Sequence, residues 1–300
     1  MKPIPCRLDT YLPAFALMLE TEVAPRTVEG YTQSLEGFLR YAQRDGLPTD
    51  PQALTADHIR HFLHDLAAAG RSANTLRQYH ASLRRFFKWL AAEGDIVDNP
   101  MDRIHMPRPP EKVIDPFTSD ELQRLNTAAK MQGRRILALR DYALLLILED
   151  TGARASEITT LTLDHIDWRQ RTFRLIGKGN REGLVAASGK TMRAVAAYLK
   201  ARRVVNDRAF VTDRGQAMNR NSLLQVLRRI GLRAGVENVH THRFRHTYGD
   251  MFLEAGGQEG DLQAAFRHST SAMTRRYTRA RQTGRALEAM RRLSPVERLR

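Results

Sequence analysis

The sequence predicts a mainly α-helical protein of two domains with one small antiparallel β-sheet. Three observations predict it. Apolar residues recur at spacings of three and four along most of the chain, a proline-rich stretch interrupts that pattern near residue 105, and the period shortens to that of strands only between about residues 163 and 188. At 300 residues the chain is long enough to build two cores.

The first domain, residues 1–105, reads as helices. RTVEGYTQSLEGFLRYAQRDG sets Val28, Tyr31, Leu35, Phe38 and Leu39 on one stripe. TADHIRHFLHDLAAAG opens on Thr55, an N-cap residue, and ends on Gly70. ANTLRQYHASLRRFFKWLAAEG repeats the pattern with Leu76, Tyr79, Leu83, Phe86, Phe87 and Leu90, and closes at Gly94. A compact bundle of four or five helices is expected.

NPMDRIHMPRPPEKVIDPF, from Asn99, carries five prolines and little periodicity, so it reads as extended chain with the linker at 106–117. The second domain, 118–300, starts at TSDELQRL, where Thr118 and Glu121 have capping-box spacing. ILALRDYALLLILEDTG is apolar almost all round and is expected at the domain's centre. DHIDW, TFRLIG and GLVAAS then predict the sheet, with GKGN at 177–180 as its tight turn. Helical patterns return at TMRAVAAYLKARR, SLLQVLRRIGLRAG, HRFRHTYGDMFLEAG and GRALEAMRRL; the last puts Ala286, Leu287, Met290 and Leu293 on one face of a C-terminal helix.

The formal charge of +15 is unevenly divided. Residues 1–110 carry 13 Lys and Arg against 13 Asp and Glu, whereas 111–300 carry 35 against 20, and 30 of those 35 are arginine. The planar guanidinium fork suits phosphate oxygens, so a polyanion, nucleic acid above all, is the expected partner. The single cysteine, Cys6, excludes an internal disulfide framework and a cysteine-rich zinc site. No apolar run approaches the length of a membrane span, and MKPIPCRLDT lacks the apolar stretch of a signal peptide, so a cytoplasmic protein with no membrane partner is expected.

GLVAASGKT nearly matches a phosphate-binding P-loop, but five residues, Leu184 to Ser188, separate its glycines where the motif needs four. The stretch reads instead as a strand running into a helix, and ATP is not implied. HTHRFRH, residues 240–246, packs three histidines and two arginines into seven positions. His242 and His246 have the spacing of a helical metal pair, but Arg243 stands where a zinc protease has glutamate, and Arg245 adds a second cation. No metal is therefore expected. His242 and Arg245, three apart, share a helix face and can offer one phosphate an imidazole and a guanidinium. On this segment alone, a basic helix face lying on DNA stays equally open.

Residues elsewhere decide between these readings. TGARASEI places Arg154 just after the helix-ending Gly152, with Glu157 spaced to pair with it. GKGNREG sets Lys178 in a hairpin turn, and HSTSAMTRRYTRA puts Tyr277 nine residues after His268. Taken in order, Arg154, Lys178, His242, Arg245, His268 and Tyr277 resemble the active site of the tyrosine recombinase family, the phage-integrase and Xer-like enzymes. SANTLRQYHASLRRFFKWLAAEGDIVDNP also resembles that family's helical core-binding domain, so the resemblance covers nearly the whole chain. Two departures stand out: Phe266-Arg267-His268-Ser269 replaces the family's usual Leu-Gly-His-Ser, and Ala153 replaces a bulky residue before the first arginine.

The resemblance implies an N-terminal SAM-like core-binding domain and a C-terminal α+β catalytic domain acting on double-stranded DNA without a cofactor. Tyr277 would attack a phosphodiester to give a 3′-phosphotyrosyl link, with His242 as base, Arg154, Arg245 and His268 on the phosphate, Lys178 as acid and Glu157 in support. It further implies a homotetramer in the synaptic complex from a monomer free in solution, serving integration or excision of a mobile element or Xer-like resolution. A telomere resolvase or type IB topoisomerase shares much of this chemistry. A non-cutting DNA-binding relative would be free to lose Tyr277, Lys178 or an arginine, and all are present.

Overall fold

A computed structural model describes residues 7–106, 114–177, 182–203 and 206–267. The chain divides into two compact units, Met1–Lys112 and Val113–Arg300. It is mainly helical with a single three-stranded antiparallel sheet among the described residues, as the periodicity predicts.

The N-terminal unit is built from α1 (Leu12–Glu22), α2 (Pro25–Arg44), α3 (Ala56–Ala68) and α4 (Ala73–Glu93). Thr55 caps α3 by accepting a hydrogen bond from the His58 amide at 3.4 Å, and Gly94 ends α4 in the left-handed conformation at φ 83°. The predicted stripes meet in one aromatic core. Phe15 packs edge-on to Phe86 at 5.2 Å between ring centroids, and Phe62 lies 5.1 Å from Phe38 and 5.3 Å from Tyr79. The stretch from Asn99 is less extended than expected at its start. Asn99 accepts from the Met101 amide to set up a short 3-10 turn over Pro100–Arg103, and Met101 and Ile104 are buried in this core. Two apolar side chains spaced three apart give that segment a reason to fold back that its prolines conceal.

In the C-terminal unit, Thr118 accepts from the Glu121 amide and Glu121 from the Thr118 amide, closing the predicted capping box of α5 (Ser119–Lys130). Next comes α6 (Arg135–Thr151), whose residues Ala143 to Leu148 are all buried, and which packs against α5, α8 (Gly189–Ala201) and α10 (Thr241–Glu254). Between α6 and α8 lie the short α7 (Ala155–Thr160) and strands β1 (Ile166–Asp167), β2 (Thr172–Ile176) and β3 (Glu182–Ala186). The sheet order is β1-β2-β3, with Phe173 opposite Ile166 on one side and Val185 on the other. β1 is shorter than DHIDW suggests, because Leu163–His165 forms a 3-10 turn and Asp167 accepts from the Gln170 amide to start the next turn. GLVAASGKT is the end of β3 running into α8, with Ser188 as N-cap. α9 (Arg220–Ala234), α10 and α11 (Glu259–Phe266) complete the described unit. The predicted turn at 178–180 and the C-terminal helix of GRALEAMRRL lie outside the described residues.

Candidate active site

Three of the candidate residues, Arg154, Glu157 and Arg245, meet where α6 ends. Gly152 takes φ 57° there, and a Cβ at this position would also meet Phe266 Cε1 at 2.8 Å, so glycine is required by both conformation and space. The turn carries the chain to Arg154, the N-cap residue of α7. Glu157, one turn along, reaches back with both oxygens: Oε2 accepts from the Arg154 amide at 2.8 Å, and Oε1 accepts from Arg154 Nη1 at 2.9 Å. The expected pairing of Arg154 with Glu157 is therefore present. The Glu157 side chain is fully buried while that of Arg154 stays 34 % exposed, so the carboxylate holds an arginine that still reaches solvent.

Burial alone would raise the Glu157 pKa, but the Arg154 amide and the guanidinium groups of Arg267 and Arg154 outweigh it and hold the carboxyl below its ordinary value. Glu157 is thus an anion with cations on two sides.

The segment from 240 to 246 is divided by role. His240 is the N-cap of α10, its Nδ1 accepting from the Arg243 amide at 3.2 Å. Arg243 turns from the site: it donates to the Asp115 and Glu237 carbonyls and to Glu121, and lies over the Phe117 ring at 3.9 Å. Arg245 is 2 % exposed. Its Nη1 donates to the Gly152 carbonyl and its Nη2 to the Phe266 carbonyl, both at 2.8 Å, while the guanidinium stacks on the Phe266 ring at 3.7 Å. One side chain so joins the end of α6, two residues before Arg154, to the end of α11.

His242 stands edge to face with His246, their Nε2 atoms 3.2 Å apart. A hydrogen bond at that separation needs one ring to donate and the other to accept, so the pair fixes complementary tautomers. Among the described residues, no group of three or more His, Cys, Asp or Glu side chains is placed to hold a metal ion. Lys178, His268 and Tyr277 lie outside the described residues.

The structure adds one residue that the sequence reading did not place in the site. Arg267 follows α11 at φ 52°, a left-handed conformation that costs a non-glycine residue about 1–2 kcal/mol. Its Nη2 donates to Glu157 Oε1 at 2.7 Å. The signal was its departure from glycine in Phe266-Arg267-His268. Tyr248 packs beside Gly152 and on Phe266, and burial, with Asp150 nearby, raises the pKa of its phenol.

Comparison with known proteins gives a consistent picture. Residues 116–283 match the phage integrase family model, and 12–94 match the model of the phage integrase N-terminal SAM-like domain. The chain is 29% identical to tyrosine recombinase XerD of Bifidobacterium longum, covering 87% of this chain and 88% of that protein. It is 27% identical to tyrosine recombinase XerC of Pseudomonas syringae over 90% and 91% of the two chains. Its fold resembles the XerH site-specific recombinase bound to a palindromic difH substrate in a post-cleavage complex, with TM-score 0.73, 20% identity and coverage of 88% of this chain and 79% of that one. It also resembles a lambda integrase dimer bound to a COC′ core site, with TM-score 0.71, 16% identity and coverage of 89% and 97%.

Proposed function

The chain belongs to the phage integrase family of tyrosine recombinases, enzymes that cleave and rejoin DNA, and from that premise we propose that it exchanges strands between two specific double-stranded DNA sites through a 3′-phosphotyrosyl intermediate. The observation that carries this reading is the joint anchoring of two arginines: Arg154 on buried Glu157, and Arg245 on the carbonyl of Gly152 two residues earlier. Together with Lys178, His242, His268 and Tyr277 in the family's order, they furnish every part the reaction needs.

Tyr277 is the nucleophile. A phenol with a reference pKa of about 10 is mostly neutral at pH 7, so its proton must pass to a base, here His242. The phenolic oxygen bonds to phosphorus and the bond from phosphorus to the 5′-oxygen breaks. Arg154 and Arg245 meet the charge that builds on the nonbridging oxygens, and His268 adds a hydrogen bond there. The departing 5′-oxygen takes its proton from Lys178. The phosphotyrosyl ester keeps the energy of the phosphodiester, so attack by a second 5′-hydroxyl reseals the strand on a new partner without ATP. Four protomers on two sites make the exchange reciprocal, in a mobile element or in Xer-like resolution.

Trapping on suicide DNA substrates with candidate sites from the gene's neighbourhood tests this reading. Wild type and Tyr248→Phe are expected to give a covalent protein–DNA band on a denaturing gel, and Tyr277→Phe none. A band that survives Tyr277→Phe overturns the assignment of the nucleophile. Tight DNA binding with no band on any substrate, where a known family member gives one, overturns the cutting reading.

A further inference from the structure

Arg267 takes the left-handed backbone conformation that glycine favours, at φ 52°. Its side chain lies over β3 at Gly183, where a Cβ would stand 2.3 Å from Arg267 Cδ. The guanidinium ends on Glu157 Oε1 at 2.7 Å, the oxygen that also accepts from Arg154 Nη1 at 2.9 Å. Two of its nitrogens, Nε and Nη1, are buried without a hydrogen-bond partner among the described residues.

A role in fold stability alone fits these facts poorly. The backbone position favours glycine, and the bond it makes among the described residues is to a carboxylate of the candidate site rather than to the frame of the fold. The evident gain is a second positive charge on Glu157. With Arg154 as its sole cationic partner, that carboxylate would cancel the charge Arg154 brings to the site. With Arg267 sharing the carboxylate, the three side chains carry a net positive charge, and Arg154 is tethered to Glu157 through Nη1, leaving the rest of its fork for an anion.

We propose that Arg267 is a positioning residue for the cleavage reaction: by sharing Glu157 with Arg154, it keeps the cluster positively charged and the outer fork of Arg154 available to the scissile phosphate. This rests on the recombinase reading above.

Four proteins test it: wild type, Arg267→Lys, Arg267→Gly, and Arg267→Gly combined with Glu157→Gln. Two readouts are taken, the single-turnover cleavage rate at saturating DNA beside the DNA Kd, and the melting-temperature rise given by inorganic phosphate over chloride at matched ionic strength. Arg267→Gly is expected to slow cleavage by about tenfold to a hundredfold with little change in Kd, and to lose most of the phosphate effect. Arg267→Lys should keep most of both, and Glu157→Gln should recover part of both by removing the uncompensated charge. A merely structural role would lower the melting temperature without separating rate from Kd, and Glu157→Gln would rescue nothing; either result overturns the proposal, as does an Arg267→Gly protein with wild-type rate and phosphate response. If the wild type forms no Tyr277-dependent adduct on any substrate, the recombinase reading fails, and the phosphate response decides this inference by itself: loss in Arg267→Gly supports it, retention overturns it.

Discussion

The two units of the molecule bury different kinds of group. In the N-terminal unit the buried polar side chains among the described residues are Ser34 and Ser82, each donating to a carbonyl of its own helix, and the interior is otherwise apolar and rich in phenylalanine. The C-terminal unit buries Arg140, Asp141, Glu157 and Arg245. Removing charges from water is costly, and a fold that needs stability alone is served as well by apolar packing. The contrast is the one the proposed function calls for: the charged interior of the second unit fixes Arg154 and the Gly152 turn through Glu157 and Arg245, and its frame through Arg140 and Asp141.

The contrast can be broken most strongly from the apolar side. Phe87→Ala, at a fully buried ring of the N-terminal core, should cost about 3–5 kcal/mol in denaturant unfolding. The adduct formed per folded, DNA-bound molecule should stay unchanged, because the ring serves packing alone. A frame charge should show a comparable cost by a different route. Asp141→Ala leaves Arg140, 2 % exposed and otherwise held by the Val211 carbonyl, without its counter-ion, at about 3 kcal/mol or more.

Glu149 sharpens the comparison through pH. Burial raises its pKa to about 7 from an ordinary 4.5, against the lowering effects of Asn126 and Lys190. The folded state therefore holds this proton more tightly than the unfolded chain. The stability it contributes is complete below about pH 4.5 and is lost as pH rises to about 7. Glu149→Gln should flatten that part of the profile and stabilise the protein at pH 8 by on the order of 2 kcal/mol, read from melting curves at pH 5 and pH 8. Glu157, whose pKa is lowered, acts in the opposite window, with stability present above the ordinary carboxylate pKa and lost in acid. At the small end, Thr55→Ala should remove about 1 kcal/mol by opening the cap of α3, and Asp57→Ala, which breaks an exposed ion pair with Arg60, about 0.5 kcal/mol or less.

Legibility in the sequence followed the same division. The N-terminal helices were readable because their apolar stripes and caps are local, as Thr55 and Gly94 illustrate. The sheet, the buried α6 and the Arg154–Glu157 pair were readable for that reason too, since each depends on residues a few positions apart. What stayed hidden joins distant parts of the chain. Arg245 bonds to Gly152 across 93 residues, and Arg243 to Glu121 across 122, and no spacing rule announces either. Arg267 was visible as a departure from a glycine, but its partner Glu157 could be found only in space.

The most direct measurement compares Arg245→Lys with wild type for single-turnover cleavage rate, DNA Kd and melting temperature. Lysine keeps the charge but cannot bond the Gly152 and Phe266 carbonyls together through a planar fork. If the buried cations are placed for bond breaking, the rate falls about a hundredfold or more while Kd changes by about threefold or less. A Kd weakened as much as the rate, or a rate unchanged in a destabilised protein, would contradict the account.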